Sequence, residues 1–208
     1  HYPQGPLFAH VIGYVGRIDV SELEGLDAKR YAGTTHVGKT GIERFYEDAL
    51  HGEVGYSQVE TNAEGRALRE LNRSPPRAGQ HLYLSIDAAL QQAAANIMAD
   101  KVGALIALDP RNGDVLAFIS VPSYDTNLFV NGISRGDYKA LLEAPGRPLF
   151  NRALQGGYEP GSTLKPFVAL AGLELGLRTP SDAIYSTGIF QIPGQTLTFR
   201  DWKRGGHG

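Results

Sequence analysis

The sequence predicts an α+β protein in two parts, and three observations support this fold class. Residues 56–61 alternate between apolar and polar side chains, which is typical of a half-buried strand. Residues 42–50 and 90–97 carry apolar side chains three and four positions apart, which is typical of amphipathic helices. The turn-rich segment 74–79 separates a region rich in glycine, tyrosine and charge from a more regular region. We therefore place a domain boundary near residue 78.

The first part, residues 1–78, is predicted to contain short elements of both kinds. Residues 11–18 are predicted to form a short strand, and the polar segment 21–31 predicts a small helix. The apolar spacing within 40–50 predicts a further helix that ends at Gly52.

The second part, residues 79–208, begins with a predicted strand at 81–86. Asp87 follows as the expected cap of a helix that runs to Asp100. The apolar side of this helix is expected to consist of Leu90, Ala93, Ala94 and Ile97.

Two apolar segments, 103–109 and 115–121, are predicted strands of a central antiparallel sheet. The segment 110–113 between them ends in Asn-Gly, which is a strong hairpin signal. Residues 122–160 are predicted to be loop with a small helix, and no strong element is predicted after residue 181.

Composition excludes several classes of protein. A hydrophobic content of 42%, a charged content of 20% and a net charge of -2 suggest neither a nucleic-acid binder nor a membrane-surface protein. No apolar run approaches the 18 or so residues that a membrane span needs. The absence of cysteine excludes disulfides and thiolate metal sites. No leader sequence opens the chain, so we expect a signal peptide to be absent or already removed.

The most informative pattern is Ser162 and Lys165, which lie three positions apart before an apolar run that predicts a helix. At a helix start, side chains at i and i+3 lie on one face, so the amine can reach the hydroxyl. A serine becomes a nucleophile at neutral pH only when an adjacent base takes its proton. A lysine can serve as that base when burial or a neighbouring cation disfavours its charged form. The helix N-terminus also favours the oxyanion of acyl transfer.

Proline fixes where this helix begins. Pro166 is tolerated only in the first turn, so the regular helix is expected to start near Thr163 or Leu164. Gly176 is the expected C-cap. Because the helix is apolar nearly all round, it is expected to be buried in a domain core.

The same two residues also fit a purely structural interpretation. In that case Ser162 caps the helix and Lys165 is an exposed residue of its first turn. The spacing alone is common, since ordinary composition gives roughly one such match per 250 residues. The catalytic interpretation therefore depends on the larger pattern around the two residues.

Residues 33–40 fit the phosphate-loop pattern G-x-x-x-x-G-K-[ST], so a P-loop nucleotide hydrolase is an alternative from another class of enzyme. A phosphate loop must follow a buried strand, and residues 25–32 are too polar to form one. Asp109, the candidate magnesium ligand, enters a hairpin turn instead of a parallel crossover. The context therefore argues against this alternative.

Asp201 and His207 are the remaining candidate metal ligands. Two ligands do not make a zinc site, and no further ligand is evident near them in the sequence. We therefore predict no metal and no cofactor.

Several segments together resemble the class B penicillin-binding proteins, in particular the elongation-specific transpeptidases of rod-shaped bacteria. The segment 158–166, which contains Ser162, resembles their first active-site motif. The resemblance covers essentially all 208 residues in one collinear order. The other segments that carry it are 38–47, which resembles the signature of the non-catalytic pedestal, and 109–117, 123–129, 151–153 and 199–203.

This resemblance implies a pedestal at residues 1–78 and the first portion of a penicillin-recognising, β-lactamase-like serine transpeptidase domain at residues 79–208. It implies a serine-type D-Ala-D-Ala transpeptidase or carboxypeptidase that acts on peptidoglycan stem peptides. By position, Ser162 would be the nucleophile that attacks between the two D-alanines, and Lys165 would be its base. An amine of a neighbouring stem would then capture the acyl-enzyme. β-Lactams would leave Ser162 acylated.

The match to the family is partial. Two later motifs, Ser-x-Asn/Asp and Lys-Thr-Gly, are expected after the first, and neither follows Lys165. The letters Lys-Thr-Gly at 39–41 lie in the pedestal signature instead. Residues 1–208 are therefore not expected to complete turnover alone.

The resemblance also implies partners and a location. A membrane glycan polymerase and rod-complex scaffold proteins would bind the pedestal, with no role for nucleic acid. A membrane anchor is expected upstream, so the protein would lie in the bacterial inner membrane with its catalytic domain in the periplasm. Two alternatives remain open. One is a non-catalytic interaction scaffold of the elongation machinery. The other is a β-lactamase or β-lactam sensor, against which the pedestal argues.

Overall fold

The computed structural model describes all 208 residues and consists of short helices and antiparallel strands. This mixture confirms the predicted α+β class. The helices are α1 (Gly5–Ile12), α2 (Val20–Leu23), α3 (Gly41–Phe45), α4 (Glu47–Leu50), α5 (Ala88–Met98), α6 (Asn127–Val130), α7 (Arg135–Glu143), α8 (Arg152–Gln155) and α9 (Lys165–Glu174), with a 3₁₀ turn at Gly161–Leu164. The strands are β1 (Val15–Arg17), β2 (His36–Gly38), β3 (Tyr56–Thr61), β4 (Ala67–Ser74), β5 (Gly103–Leu108), β6 (Val115–Val121), β7 (Ile189–Gln191) and β8 (Thr198–Arg200).

The strands form four two-stranded antiparallel sheets, each made by consecutive strands. The chain divides into two compact units, His1–Gly156 and Gly157–Gly208. The domain boundary that the sequence predicts near residue 78 lies inside the first unit and stays a prediction.

The core of the first unit lies between the β5–β6 hairpin and α5. Ala94 of α5 is buried against Ala117 and Ile119 of β6. The predicted hairpin is confirmed. Its turn is closed by the amide of Gly113, which donates to the carbonyl of Asp109 at 2.8 Å, and the positive φ of 83° at this glycine suits a residue without a side chain.

Helix α5 begins as predicted but buries a different side. The Asp87 carboxylate accepts hydrogen bonds from the amides of Ala89 and Leu90, at 2.8 and 2.9 Å, and so caps the helix. Leu90 and Ile97 are nevertheless 40% and 67% exposed, and the residue that is completely buried is Gln91. The prediction of the apolar side was therefore wrong in part, because the hydrogen bonds of Gln91 orient the helix.

Helix α1 occupies the first two residues of the strand predicted at 11–18. The helix continues to Ile12 and stops at Gly13, whose φ of 75° lies outside the range of most residues. The strand β1 then pairs with β2. The prediction was wrong at its start because the last helical residues, Val11 and Ile12, are apolar and β-branched, which also suits a strand.

Side chains from the second part of the chain hold α1 and the residues before it. Each donates a hydrogen bond to a backbone carbonyl, and three of the four acceptors lie in α1 while the fourth, Tyr2, precedes it. The pairs are Asn127 Nδ2 to Tyr2 at 2.9 Å, Ser123 Oγ to Pro6 at 2.7 Å, Gln91 Nε2 to Leu7 at 3.0 Å and Asn151 Nδ2 to His10 at 3.0 Å.

Other predicted elements of the first unit hold in part. The helix expected within 40–50 divides at Tyr46 into α3 and α4. No strand forms at 81–86. This segment reaches β6 through the Ser85 hydroxyl, which donates to the carbonyl of Val115 at 3.0 Å, and no regular ladder develops.

In the second unit, α9 ends at the predicted glycine. The amide of Gly176 donates to the carbonyl of Leu173 at 3.0 Å, and the amide of Leu177 donates to that of Gly172 at 2.9 Å. These two bonds, with a φ of 64° at Gly176, form a Schellman motif. The expected burial of α9 is not observed, because within this unit its main neighbour is the 3₁₀ turn and its apolar side chains are exposed.

Candidate active site

Ser162 and Lys165 lie at the junction of the 3₁₀ turn and α9. Lys165 is the first residue of α9, and its amide donates to the carbonyl of Ser162. In a 3₁₀ turn, residues i and i+3 fall on the same side of the backbone. The structure therefore brings the two residues to one side of the turn, as the sequence predicts.

The turn itself is fixed by local bonds. The amide of Thr163 donates to the carbonyl of Pro160 at 3.2 Å, and the hydroxyl of Thr163 donates to the same oxygen. Gly161 adopts a φ of 51°, which most residues avoid. Pro166 occupies the first turn of α9, where its missing N–H group has no partner to lose. The regular helix begins at Lys165, directly after the predicted start near Thr163 or Leu164.

Both side chains are exposed to solvent. No hydrogen bond joins the Ser162 hydroxyl to the Lys165 amine. The first amides of a helix lack intrahelical acceptors, so the amide of Ser162 is available to a ligand oxygen. The roles of nucleophile and base stay predictions.

A groove of about 490 Å³ opens beside Lys165 within the second unit. Its walls come from the β7–β8 hairpin and the residues that flank it. Sequence reasoning missed this hairpin. The signals that could have found it are the short apolar alternation at 189–192 and the Pro193-Gly194 turn, but three-residue strands give little periodicity. The lining includes Tyr185, Phe190, Phe199, Arg200, Asp201 and Trp202.

Asp201 and His207 contact each other. The Nε2 atom of His207 lies 3.2 Å from Oδ2 of Asp201, so the histidine engages the carboxylate of the groove. The expectation that this pair holds no metal stays a prediction.

The phosphate-loop alternative is wrong. His36–Gly38 forms the strand β2, so residues 33–40 are not a loop around an anion. The amide of Gly38 donates to Oε2 of Glu47 at 2.8 Å, and the amine of Lys39 is bound to the carboxylate of Glu22. The groups that would hold a phosphate already have partners within the protein.

Comparison with known proteins identifies the class to which this fold and this serine–lysine turn belong. The family "Penicillin-binding Protein dimerisation domain" matches residues 1–84, and the family "Penicillin binding protein transpeptidase domain" matches residues 103–208. The second match covers half of the chain, so the chain belongs to the penicillin-binding proteins with a transpeptidase domain.

Individual relatives are similar over the whole chain. Peptidoglycan D,D-transpeptidase MrdA of Acinetobacter baumannii is 50% identical over 100% of this chain and 31% of the relative. The crystal structure of Pseudomonas aeruginosa PBP2 in complex with WCK 5153 has a TM-score of 0.88 and 50% identity, and the match covers 100% of this chain and 42% of that one. A complex between PBP2 and MreC from Helicobacter pylori has a TM-score of 0.88 and 37% identity, and the match covers 100% of this chain and 38% of that one. The chain thus spans about a third of the length of its curated relative.

Proposed function

We propose that the whole protein is a peptidoglycan D,D-transpeptidase in which Ser162 is the nucleophile and Lys165 is the general base. The observation that carries this proposal is the position of both residues on one side of the turn that begins α9, inside the segment that matches the transpeptidase family. The 50% identity to a relative with this activity in its name supports the substrate class.

The proposed chemistry is acyl transfer through a serine ester. The Ser162 oxygen bonds to the carbonyl carbon between two D-alanines while its proton passes to Lys165 as the general base. The amide of Ser162 and the positive end of α9 stabilise the oxyanion. The carbon–nitrogen bond then breaks, and the terminal D-alanine leaves with the proton on its nitrogen. An amine of a second stem peptide then attacks the ester carbonyl, one of its protons returns through Lys165 to the Ser162 oxygen, and the new amide bond is the cross-link.

Labelling of the whole protein with a fluorescent penicillin tests the two roles. Ser162→Ala should abolish covalent labelling. Lys165→Ala should slow it by about a hundredfold to ten-thousandfold, the usual contribution of a general base. Ser181→Ala and Lys203→Ala, which change the same residue types at exposed positions outside the turn, should label at the original rate. Undiminished labelling of Lys165→Ala would refute its role as base.

The MreC complex of the Helicobacter pylori relative supports rod-complex scaffold proteins as partners of this protein. By family resemblance, a membrane glycan polymerase is a second partner, and residues 1–78 form the pedestal that both contact. We also infer an inner-membrane protein with its catalytic domain in the periplasm. None of the helices described here has the length and hydropathy to cross a membrane.

That same complex favours one alternative, in which the protein acts only as an interaction scaffold. Absence of any covalent label on the whole protein would support the scaffold. Rapid hydrolysis of penicillin, with release of the acyl group, would instead indicate a β-lactamase.

A further inference from the structure

The groove beside Lys165 has a fixed wall. In the β7–β8 hairpin, Phe190 pairs with Phe199 and Ile189 pairs with Arg200. The base of the hairpin is closed by the amide of Asp201, which donates to the carbonyl of Gly188 at 2.9 Å. The side chains that line the groove are therefore presented by backbone that is itself hydrogen-bonded.

Arg200 supplies the positive charge of this groove, since Lys165 is the proposed base. Asp201 is the only carboxylate among the lining residues. His207 lies 3.2 Å from that carboxylate, whereas the guanidinium of Arg200 forms no salt bridge within the chain. The groove therefore offers a guanidinium that can accommodate an anionic group.

The rest of the lining is aromatic and open. Trp202 is 86% exposed, and Tyr185, Phe190 and Phe199 also present much of their surface to solvent. Exposed aromatic side chains beside a cation suit a ligand that combines aliphatic or peptide groups with a carboxylate, because guanidinium binds carboxylate through two parallel hydrogen bonds.

We propose that this groove is a subsite for the peptide stem upstream of the scissile bond, and that Arg200 selects stems with a free side-chain carboxylate. The inference rests on the proposed function, since it assumes that the ligand extends from Ser162 past Lys165. The aromatic walls hold the stem, and Arg200 pairs with the carboxylate on the residue that precedes D-Ala-D-Ala.

The test uses two synthetic peptides that differ only in this carboxylate, which is free in one and amidated in the other. Their dissociation constants are measured by calorimetry on the whole protein carrying Ser162→Ala, which prevents turnover. The acid peptide should bind about tenfold or more tightly than the amide, the usual size of one hydrogen bond to a charged group. Adding Arg200→Gln should remove this difference and leave the affinity for the amide unchanged.

Lys203→Gln in the same background is the matched control, because it removes a positive charge near Arg200 from a residue that does not line the groove. It should preserve the preference for the acid peptide. Equal affinities for the two peptides in the unmodified groove, no binding of either peptide, or an equal effect of Lys203→Gln would overturn the proposal. Penicillin labelling at Ser162 tests the proposed function separately, so failure of the subsite proposal can be told apart from failure of the proposed function.

Discussion

Gln91 connects α1, α5 and β6 through a single buried side chain. Its Nε2 donates to the carbonyls of Leu7 and Phe118, at 3.0 and 2.8 Å, and its Oε1 accepts from the amide of Phe118 at 2.7 Å. Leucine fills a similar volume but leaves all three backbone groups without a partner. We expect Gln91→Leu to lower the free energy of unfolding by about 2–4 kcal/mol, measured by urea denaturation.

The adjacent Gln92 provides the control. Its side chain is exposed and bonds only to Asn96 of the same helix, at 3.0 Å. Gln92→Leu should change the free energy of unfolding by less than about 0.5 kcal/mol, as surface substitutions usually do. If both leucine variants lower the free energy of unfolding by the same amount, the hydrogen bonds of Gln91 do not stabilise the first unit.

His10 makes the stability of the first unit depend on pH. Burial lowers the pKa of His10 below its ordinary value of 6.5, and the nearby Arg152 adds to the lowering, against the backbone carbonyls of Pro122 and Pro148. Below about pH 6.5, the imidazole of His10 therefore binds a proton more readily in the unfolded chain than in the folded one. The stability that the folded state gains from keeping His10 neutral is fully present above this pH. It should be lost as the pH falls below about 6.5.

Thermal unfolding measured between pH 8 and pH 5 tests this dependence, with a buffer at each pH whose own pKa lies within about one unit of it. His10→Phe keeps an aromatic ring against Tyr124, where the two rings now meet edge to face at 5.3 Å, and should flatten the curve below pH 6.5. His81→Gln, at an exposed position, should leave the curve unchanged. A curve of the same shape in His10→Phe would assign the pH dependence to other groups.

At the scale of elements, the sequence predicted those whose signals are local. The β5–β6 hairpin follows from its Asn-Gly turn, and α9 follows from Pro166 at its start and Gly176 at its end. The buried side of α5 could not be predicted, because it depends on bonds from Gln91 to residues 27 and 84 positions away. The β7–β8 hairpin was missed because each strand has only three residues.

The Schellman motif of α9 permits a test of one glycine. Gly176 has a φ of 64° and no atom within 4 Å of the place where a Cβ would lie. Gly176→Ala therefore introduces backbone strain and no clash, and should lower the free energy of unfolding by about 1–2 kcal/mol. Gly157→Ala is the control, since that glycine also has open space but no positive φ. A loss of equal size at Gly157 would show that the conformation of Gly176 is not the cause.

At the scale of the whole molecule, the candidate site divides into a part that was predictable and a part that was not. Ser162 and Lys165 are neighbours in the sequence, so their shared side of a turn follows from helical geometry alone. The groove beside Lys165 is lined by residues 19 or more positions further along the chain. Such a wall depends on how distant segments fold together, which short-range periodicity does not report.

The position of α1 carries the last prediction. Sequence places it in the pedestal, but the backbone of α1 and of the preceding Tyr2 accepts hydrogen bonds from side chains of residues 91, 123, 127 and 151. Leu7 also packs against the core of β6 and α5. A version of the whole protein that begins at residue 79 loses these contacts. We expect it to be less stable by on the order of 4 kcal/mol than a version that begins at His1, about 1 kcal/mol for each of four hydrogen bonds.

Thermal unfolding and penicillin labelling of the two versions measure this difference. The control is the longer version with strands β3 and β4 replaced by a Gly-Gly linker between Gly55 and Pro75. The hairpin contributes no buried side chain, and its first and last residues, Tyr56 and Ser74, are paired, so the linker can span the gap. Removing the hairpin should therefore leave the melting temperature and labelling rate nearly unchanged. Equal stability of the versions beginning at residues 1 and 79 would show that the second part folds without α1, since the interactions along this helix would then add nothing to it.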